Sequence, residues 1–350
     1  MNDLTIDKVE IIDCTDLVGP GDDGHLVAVH AAGQIGWHGP VSVAAATALD
    51  GSLAASAIGT DVTDHSGLLS ALHGASAKSG DAVTSWAVGA LDCAVWDVHA
   101  RIEQRPVAAL LSTTARSHVP AYASWLTLDV QLADAETIRR IAGQDWQFTK
   151  WSLRRSRGLP VADDARRMAG VVHQVAEATG SPAAFDALWT WDPALALRFS
   201  EQVDHGKMIW LEEPLASYEG TGYSDIATAC PYPALALGER LHLGDDPKEL
   251  LVLPNLGALT IDVVGCGGLT VAAELVAEAA AASVPVYPHG RSLLPAVHLA
   301  AAFPKAIAAV EYQLQWEPHR QLLFTDPLEC EGGQVVVPSA PGLGPTPRRR

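Results

Sequence analysis

Seven side chains carry the chemistry legible in this sequence. Asp186, Glu212 and Glu239 close three successive short apolar runs, Ala-Phe-Asp, Trp-Leu-Glu and Ala-Leu-Gly-Glu. If those runs are parallel strands of one barrel, their C-terminal ends open into a single mouth, where three carboxylates repel one another unless a hard cation lies between them. An all-oxygen donor set favours Mg²⁺ or Mn²⁺ over zinc. Any one of these acids alone could equally cap a helix or pair with an arginine; the three in phase point to a metal. Asp262, His289 and Glu311 close the next three runs. An aspartate behind an imidazole fixes its tautomer and raises its basicity, so Asp262 makes His289 a usable general base. Alone, in Tyr-Pro-His-Gly, the same histidine would read as a packed or helix-capping residue. Opposite them, Lys150 in Phe-Thr-Lys-Trp-Ser is desolvated near the cation, and could hold a substrate carboxylate or exchange a proton at lowered pKa. Arg154 offers a second anion contact.

These residues need a scaffold that brings distant strand ends together. From Val119 onward, β-type runs at 119–126, 147–152, 182–187, 208–213, 234–239, 258–263, 284–288 and 308–312 alternate with helical or loop segments, the count a (β/α)₈ barrel requires. Before them, 4–13, 26–31 and 34–38 read as an antiparallel meander, and Ala44–Ala57, Ser66–Leu72 and Val83–Ile102 carry helical periodicity. The reading is α/β: an α+β capping domain over 1–115, a TIM-like barrel over 116–318, and a C-terminal segment over 319–350 whose apolar run Val335–Val337 returns to the first domain.

Composition bounds the partners. The chain has 350 residues, 48% of them hydrophobic, and so buries a large core. A net charge of −18 disfavours nucleic acid and anionic membranes, and Arg348–Arg350 reads as a tail. Five widely spaced cysteines without a Cys-x-x-Cys pair are expected to be reduced. No signal peptide and no apolar run of about 18 residues is evident, so a soluble, cytoplasmic protein is expected.

A family likeness emerges from several motifs in order. The run Leu91-Asp92-Cys93-Ala94-Val95-Trp96-Asp97, with Pro106-Val107, Glu212-Glu213-Pro214, Gly238-Glu239, Asp262 with Gly267-Gly268-Leu269-Thr270, and His289 with His298-Leu299, resembles the mandelate racemase and muconate-lactonizing branch of the enolase superfamily. The resemblance implies that Asp186, Glu212 and Glu239 hold Mg²⁺, that His289 with Asp262 forms the base dyad, and that Glu311 is the acid of the eighth strand. It implies abstraction of the proton α to a carboxylate through an enediolate, a capping domain over the mouth with Leu17–His25 as a lid, a small carboxylate as substrate, and a homo-oligomer. Trp37, Trp125, Arg154 and Arg240 are the candidate substrate contacts.

Two departures narrow the reaction. Relatives with a base on each face carry Lys-x-Lys on the second strand, whereas this chain has Lys150-Trp151-Ser152. One acid/base group suffices for a syn β-elimination but not for racemisation, which favours a hydroxy-acid or sugar-acid dehydratase over a racemase, epimerase or cycloisomerase. Asp186-Ala187-Leu188 lacks the Asn that many relatives place there, and Leu188 with Trp125, Trp151, Trp189 and Trp191 suggests a less polar pocket, unless those tryptophans are core. A Rossmann reading of Gly19-Pro20-Gly21-Asp22-Asp23-Gly24 fails because a strand follows it and its aspartates would repel a pyrophosphate. No His-x-His or Gly-x-Ser-x-Gly is present. A homologue that binds a carboxylate without turnover is the non-enzymatic alternative, and a broken acidic triad would be its mark.

Overall fold

The structure is a computed structural model that describes residues 4–18, 23–76, 81–127, 129–130, 133–143, 145–229 and 233–348. The first unit is an antiparallel sheet in the order β1 (Ile6–Asp13), β2 (Asp23–Ala31), β3 (Gln34–Ser42). The helix Ala82–Ile102 packs on it, started by Asp81, whose side chain accepts from Thr84 N. The helical stretch expected over 44–57 is broken. Asp50 and Gly51 (φ +98°) leave helical geometry and separate Val43–Ala48 from Ala54–Ala57. Residues 19–22, the middle of the expected lid, lie outside the described residues, as do Cys230 and the last two arginines.

The barrel strands are β4 (His118–Trp125), β5 (Thr149–Ser152), β6 (Ala183–Asp186), β7 (Met208–Glu212), β8 (Leu235–Leu237), β9 (Leu256–Leu259) and β10 (Val310–Gln313). Each pairs in parallel with the next through β9, and β10 pairs with β4. Between β9 and β10 the expected strand 284–288 is reduced to the bridges Leu259↔Val286 and Val286↔Ile307. Pro285 and Pro288 have no N–H to give to a ladder. The backbone bonds Tyr287 N to Leu259 O, His289 N to Ile261 O and Val286 N to Ala306 O nevertheless carry the pairing across the gap and back to its start.

Period-two alternation turns every other strand residue into the barrel. One interior layer packs Tyr122, Ala184, Trp210, Ala236, Ala258 and Ala309 with Phe148 and Tyr287, large rings against alanines. Two residues further along each strand stand Ser124, Lys150, Asp186, Glu212, Gly238, Thr260, His289 and Glu311. The apolar layer is thus the floor on which the polar groups sit.

Helix Ala82–Ile102 fastens the two units along the segment after β9. A Cβ on Gly89 would lie 2.0 Å from Val264 O, so only glycine allows this approach. Ser85 Oγ donates to Gly265 O, and Asp92 accepts from Thr270 N and Oγ1. Trp96 Nε1 donates to the same Thr270. The run Val335–Val337 does not return to the first sheet: β11 (Cys330–Glu331) and β12 (Gln334–Val336) form a hairpin that pairs with β4. The chain reaches back later, where Leu343 N donates to Asp97 Oδ1 and Gly342 N to Arg105 O. The described cysteines are free, and no described helix is long and apolar enough to cross a membrane.

Candidate active site

The polar layer opens into a cavity of about 780 Å³. Asp186, Glu239, His289 and Gln313 lie at its floor; Leu126, Leu188, Trp189, Arg240 and Arg320 form walls; Val18, Asp23 and Trp86 of the first unit cover it.

His289 and Asp262 meet as expected. His289 Nδ1 is 3.0 Å from Asp262 Oδ2. The other oxygen, Oδ1, accepts from Val264 N, Gly265 N and Ser292 Oγ at 3.0, 2.8 and 2.7 Å. Three donors fix the aspartate, so the aspartate can fix the ring. Although burial works to raise it, the Asp262 carboxyl is held below its ordinary value by His289 and these donors.

The other nitrogen of His289 faces a residue the sequence did not flag. Gln313 Nε2 is 3.2 Å from His289 Nε2, and Gln313 Oε1 accepts from Arg320 Nη1 at 2.8 Å. A guanidinium only donates, so Arg320 fixes the amide with its NH₂ toward the imidazole. That donor favours a lone pair on Nε2 and the proton on Nδ1, the tautomer in which Nε2 can accept a proton. Nothing at Gln313 in the sequence marks this role; its place two residues beyond Glu311, on the inward face, is the only signal.

Lys150 is buried among carboxylates, with Nζ 2.6 Å from Glu212 Oε1, 3.1 Å from Glu311 Oε1 and 3.6 Å from Asp186 Oδ2. Burial favours a lowered pKa, but Glu212 and Glu311 outweigh it and hold the ammonium well above its ordinary value. The lowered value expected from desolvation is therefore corrected. Glu311, despite burial, is brought down to about 2 by Lys150 and His289, and also accepts from Gly290 N at 2.8 Å.

The three expected metal ligands are split between two cations. Asp186 and Glu212 flank Lys150, while Glu239 Oε1 lies 3.3 Å from His289 Nε2. Among the described residues no group of three such side chains is gathered tightly enough to hold a metal ion as it stands. The charge balance nonetheless leaves room for one. Among the described residues, the ion pairs of Asp186, Glu212, Glu239, Asp262 and Glu311 are made with Lys150 and His289. Burial, with neighbouring carboxylates adding to it, pushes Glu212 up to about 7 and Glu239 up to about 8. In the same field His289 is raised to about 10: burial opposes this, and Glu239, Glu311 and Asp262 bring it about. A dication among the carboxylates would reverse each of these shifts, lowering the acids and freeing His289 of its proton.

Glu239 reaches the mouth because Gly238 (φ +119°) bends the chain; a Cβ there would lie 2.8 Å from Leu259 Cδ1. Glu213, adjacent to Glu212, points elsewhere and is bound by Tyr218, Gly238 N and Arg240.

The candidate substrate contacts fare unevenly. Arg240 lines the cavity, but its guanidinium is tied to Glu213 and to the carbonyls of Ala216 and Leu215, and it lies over Trp189 and Tyr218. Arg154 is exposed, donates to Leu126 O and is not part of the cavity lining. Trp37 lies outside the lining: alternation turns its neighbour His38 inward instead, and Trp37 N is bound by Asp97. Trp125 is half-buried, with Nε1 on Thr127, and the lining residue beside it is Leu126. Leu188 and Trp189 do line the cavity, while Trp151 and Trp191 are core.

Comparison with known proteins identifies the family of both units. Residues 133–350 match the family described as enolase C-terminal domain-like, and residues 26–112 match the mandelate racemase/muconate lactonizing enzyme N-terminal domain. The chain is 25% identical to a D-galactonate dehydratase of Cronobacter sakazakii over 89% of its own length and 85% of the relative's. It is 29% identical to an L-talarate/galactarate dehydratase of Salmonella typhimurium, over 76% of this chain and 64% of that one. Its fold matches a mandelate racemase/muconate lactonizing protein of Paracoccus denitrificans, solved with magnesium, at a TM-score of 0.83 and 23% identity over 98% and 96% of the two chains. The two family patterns together span most of the chain, over the capping sheet and the barrel alike, so this chain belongs to the mandelate racemase/muconate lactonizing enzyme family of the enolase superfamily.

Proposed function

We propose that the protein dehydrates a hydroxy acid of the sugar-acid class, drawing the proton from the carbon next to the carboxylate and expelling a β-hydroxyl. The observation that carries this is the single set base: His289 is held by Asp262 on one nitrogen and by Gln313 on the other, while Ser152 stands where a second lysine would be needed. The dehydratase relatives support the same class.

In this reading Asp186, Glu212 and Glu239 hold Mg²⁺. When bound, the ion neutralises the substrate carboxylate and the charge that develops on it as the proton leaves. Lys150 supplies a fixed positive charge beside the same carboxylate and keeps its own proton. His289 Nε2 takes the α-proton, breaking the C2–H bond. It then returns that proton to the departing C3 hydroxyl, so that water leaves and an enol remains, which ketonises to a 2-keto-3-deoxy acid. Asp262 stabilises the imidazolium between the two transfers. The apolar barrel layer closes the site from below, and Trp86 covers part of its mouth.

Incubation with Mg²⁺ and a panel of sugar acids, read with a carbonyl reagent, tests the proposal. A keto product that disappears with EDTA upholds it. Exchange of the α-proton with deuterium, without a keto product, would instead make the enzyme an isomerase, with Lys150 across the site from His289 as its second group.

A further inference from the structure

The wall opposite the metal-binding side of the cavity contains a cation that the proton-transfer chemistry leaves only partly used. Arg320 is 9% exposed and lines the cavity. Its hydrogen bonds within the described protein all run through one nitrogen, Nη1, to Gln313 Oε1 at 2.8 Å and Gly290 O at 3.3 Å. The ion pair to Glu317, at 3.5 Å, uses the same nitrogen. Neither Nε nor Nη2 has a protein acceptor among the described residues. A nearly buried guanidinium with an unused edge is a fork awaiting a planar anion.

Position defines which anion. Only the amide of Gln313 separates Arg320 from the base, with contacts of 2.8 and 3.2 Å on its two sides. A substrate with its α-carbon at His289 and its first carboxylate toward Lys150 therefore extends its remaining carbons along this wall. Arg291 stands on the same wall, lying over Trp86 at 4.6 Å with Nη2 on Asp23. Trp86 and Trp316 offer ring faces for the C–H groups in between.

Resting on the α-proton reading above, we infer that the substrate is a dicarboxylic sugar acid whose distal carboxylate is bound by the free edge of Arg320. A neutral terminal hydroxyl would leave that edge half-satisfied, so the fork discriminates against the monoacid. Arg320 is a specificity-determining residue in this account; through Gln313 it also positions the base.

The test pairs galactarate with galactonate, and includes 6-phosphogluconate as a phosphate-bearing acid. Wild type, Arg320→Met and Arg320→Lys are assayed with Mg²⁺ for keto product, and binding is followed by calorimetry so that affinity is read without turnover. The expected result is that the wild type favours galactarate by roughly 30-fold or more in kcat/KM, the scale of one buried charged pair. Arg320→Met should lose that preference mainly through KM, and Arg320→Lys should recover part of it. Circular dichroism of both variants separates this from misfolding. Equal or better use of galactonate by the wild type, or an equal effect of Arg320→Met on both acids, overturns the inference while keto formation still upholds the dehydratase. Preference for 6-phosphogluconate with the same Arg320 dependence overturns the dicarboxylate in favour of a phosphate. Absence of both keto product and α-exchange with every acid sinks the underlying reading and the diacid with it, even if calorimetry detects binding.

Discussion

His289 and Lys150 both stand in the polar layer of the barrel, and the proposed reaction gives them different work. Replacing His289 by Asn keeps a polar group of similar size but removes the proton acceptor. Turnover and α-deuterium exchange should fall by about 10²–10⁴-fold, while Mg²⁺ binding by calorimetry survives. Turnover retained in that protein would remove His289 from the base role. Lys150→Met leaves Asp186, Glu212 and Glu311 without their shared ammonium. Urea denaturation at neutral pH should show a loss of about 3–5 kcal/mol, part of it restored by Mg²⁺. Both residues were legible in the sequence because each closes a strand on the inward face. Gln313 and Arg320 were not, since their value lies in a chain of contacts between an amide, a guanidinium and an imidazole that no local spacing reveals. Trp37 was named for its residue type, whereas strand alternation buries its neighbour His38 and leaves Trp37 outside the cavity lining.

The elements that hold these residues depend on close approach between the two units. Gly89→Ala places a methyl against Val264 O, two residues from Asp262, and should push the helix Ala82–Ile102 away from the segment after β9. A loss of about 1–3 kcal/mol in chemical denaturation is expected, with a fall in kcat as the support behind His289 loosens. Motifs that resembled a family in the sequence acquire a physical reason here: Asp92 and Trp96 both bond Thr270, so the two motifs are halves of one joint. A second joint titrates. His298 accepts from Ala108 N on Nδ1 and donates to Leu343 O from Nε2, and burial lowers its pKa from 6.5 to about 4. Between these values the unfolded chain binds the proton and the folded one does not. Stability should therefore drop as pH falls from 6.5 toward 4, by up to about 3 kcal/mol from this group. Comparing wild type with His298→Gln across that window isolates the contribution, because His38 and His65 titrate alike in both proteins. The positions of the barrel strands were readable from short β-type runs, but the collapse of the seventh to a bridge at Val286 was masked by an apolar run whose prolines cannot pair.

For the whole molecule, the site has a surplus of negative charge in an acidic chain, met on one wall by arginines. The account makes a dication the missing partner of the buried carboxylates, so Mg²⁺ should stabilise the folded state as well as switch on chemistry. At about 100 times its Kd it should add about 2.7 kcal/mol, visible as a rise in Tm that EDTA reverses. The measurement that tests the central claim most directly is keto-acid formation from sugar acids by the purified protein, with and without Mg²⁺, beside the His289→Asn protein. The account predicts a keto product that requires both the cation and the histidine. A keto product that persists in EDTA, or in the absence of His289, would contradict it.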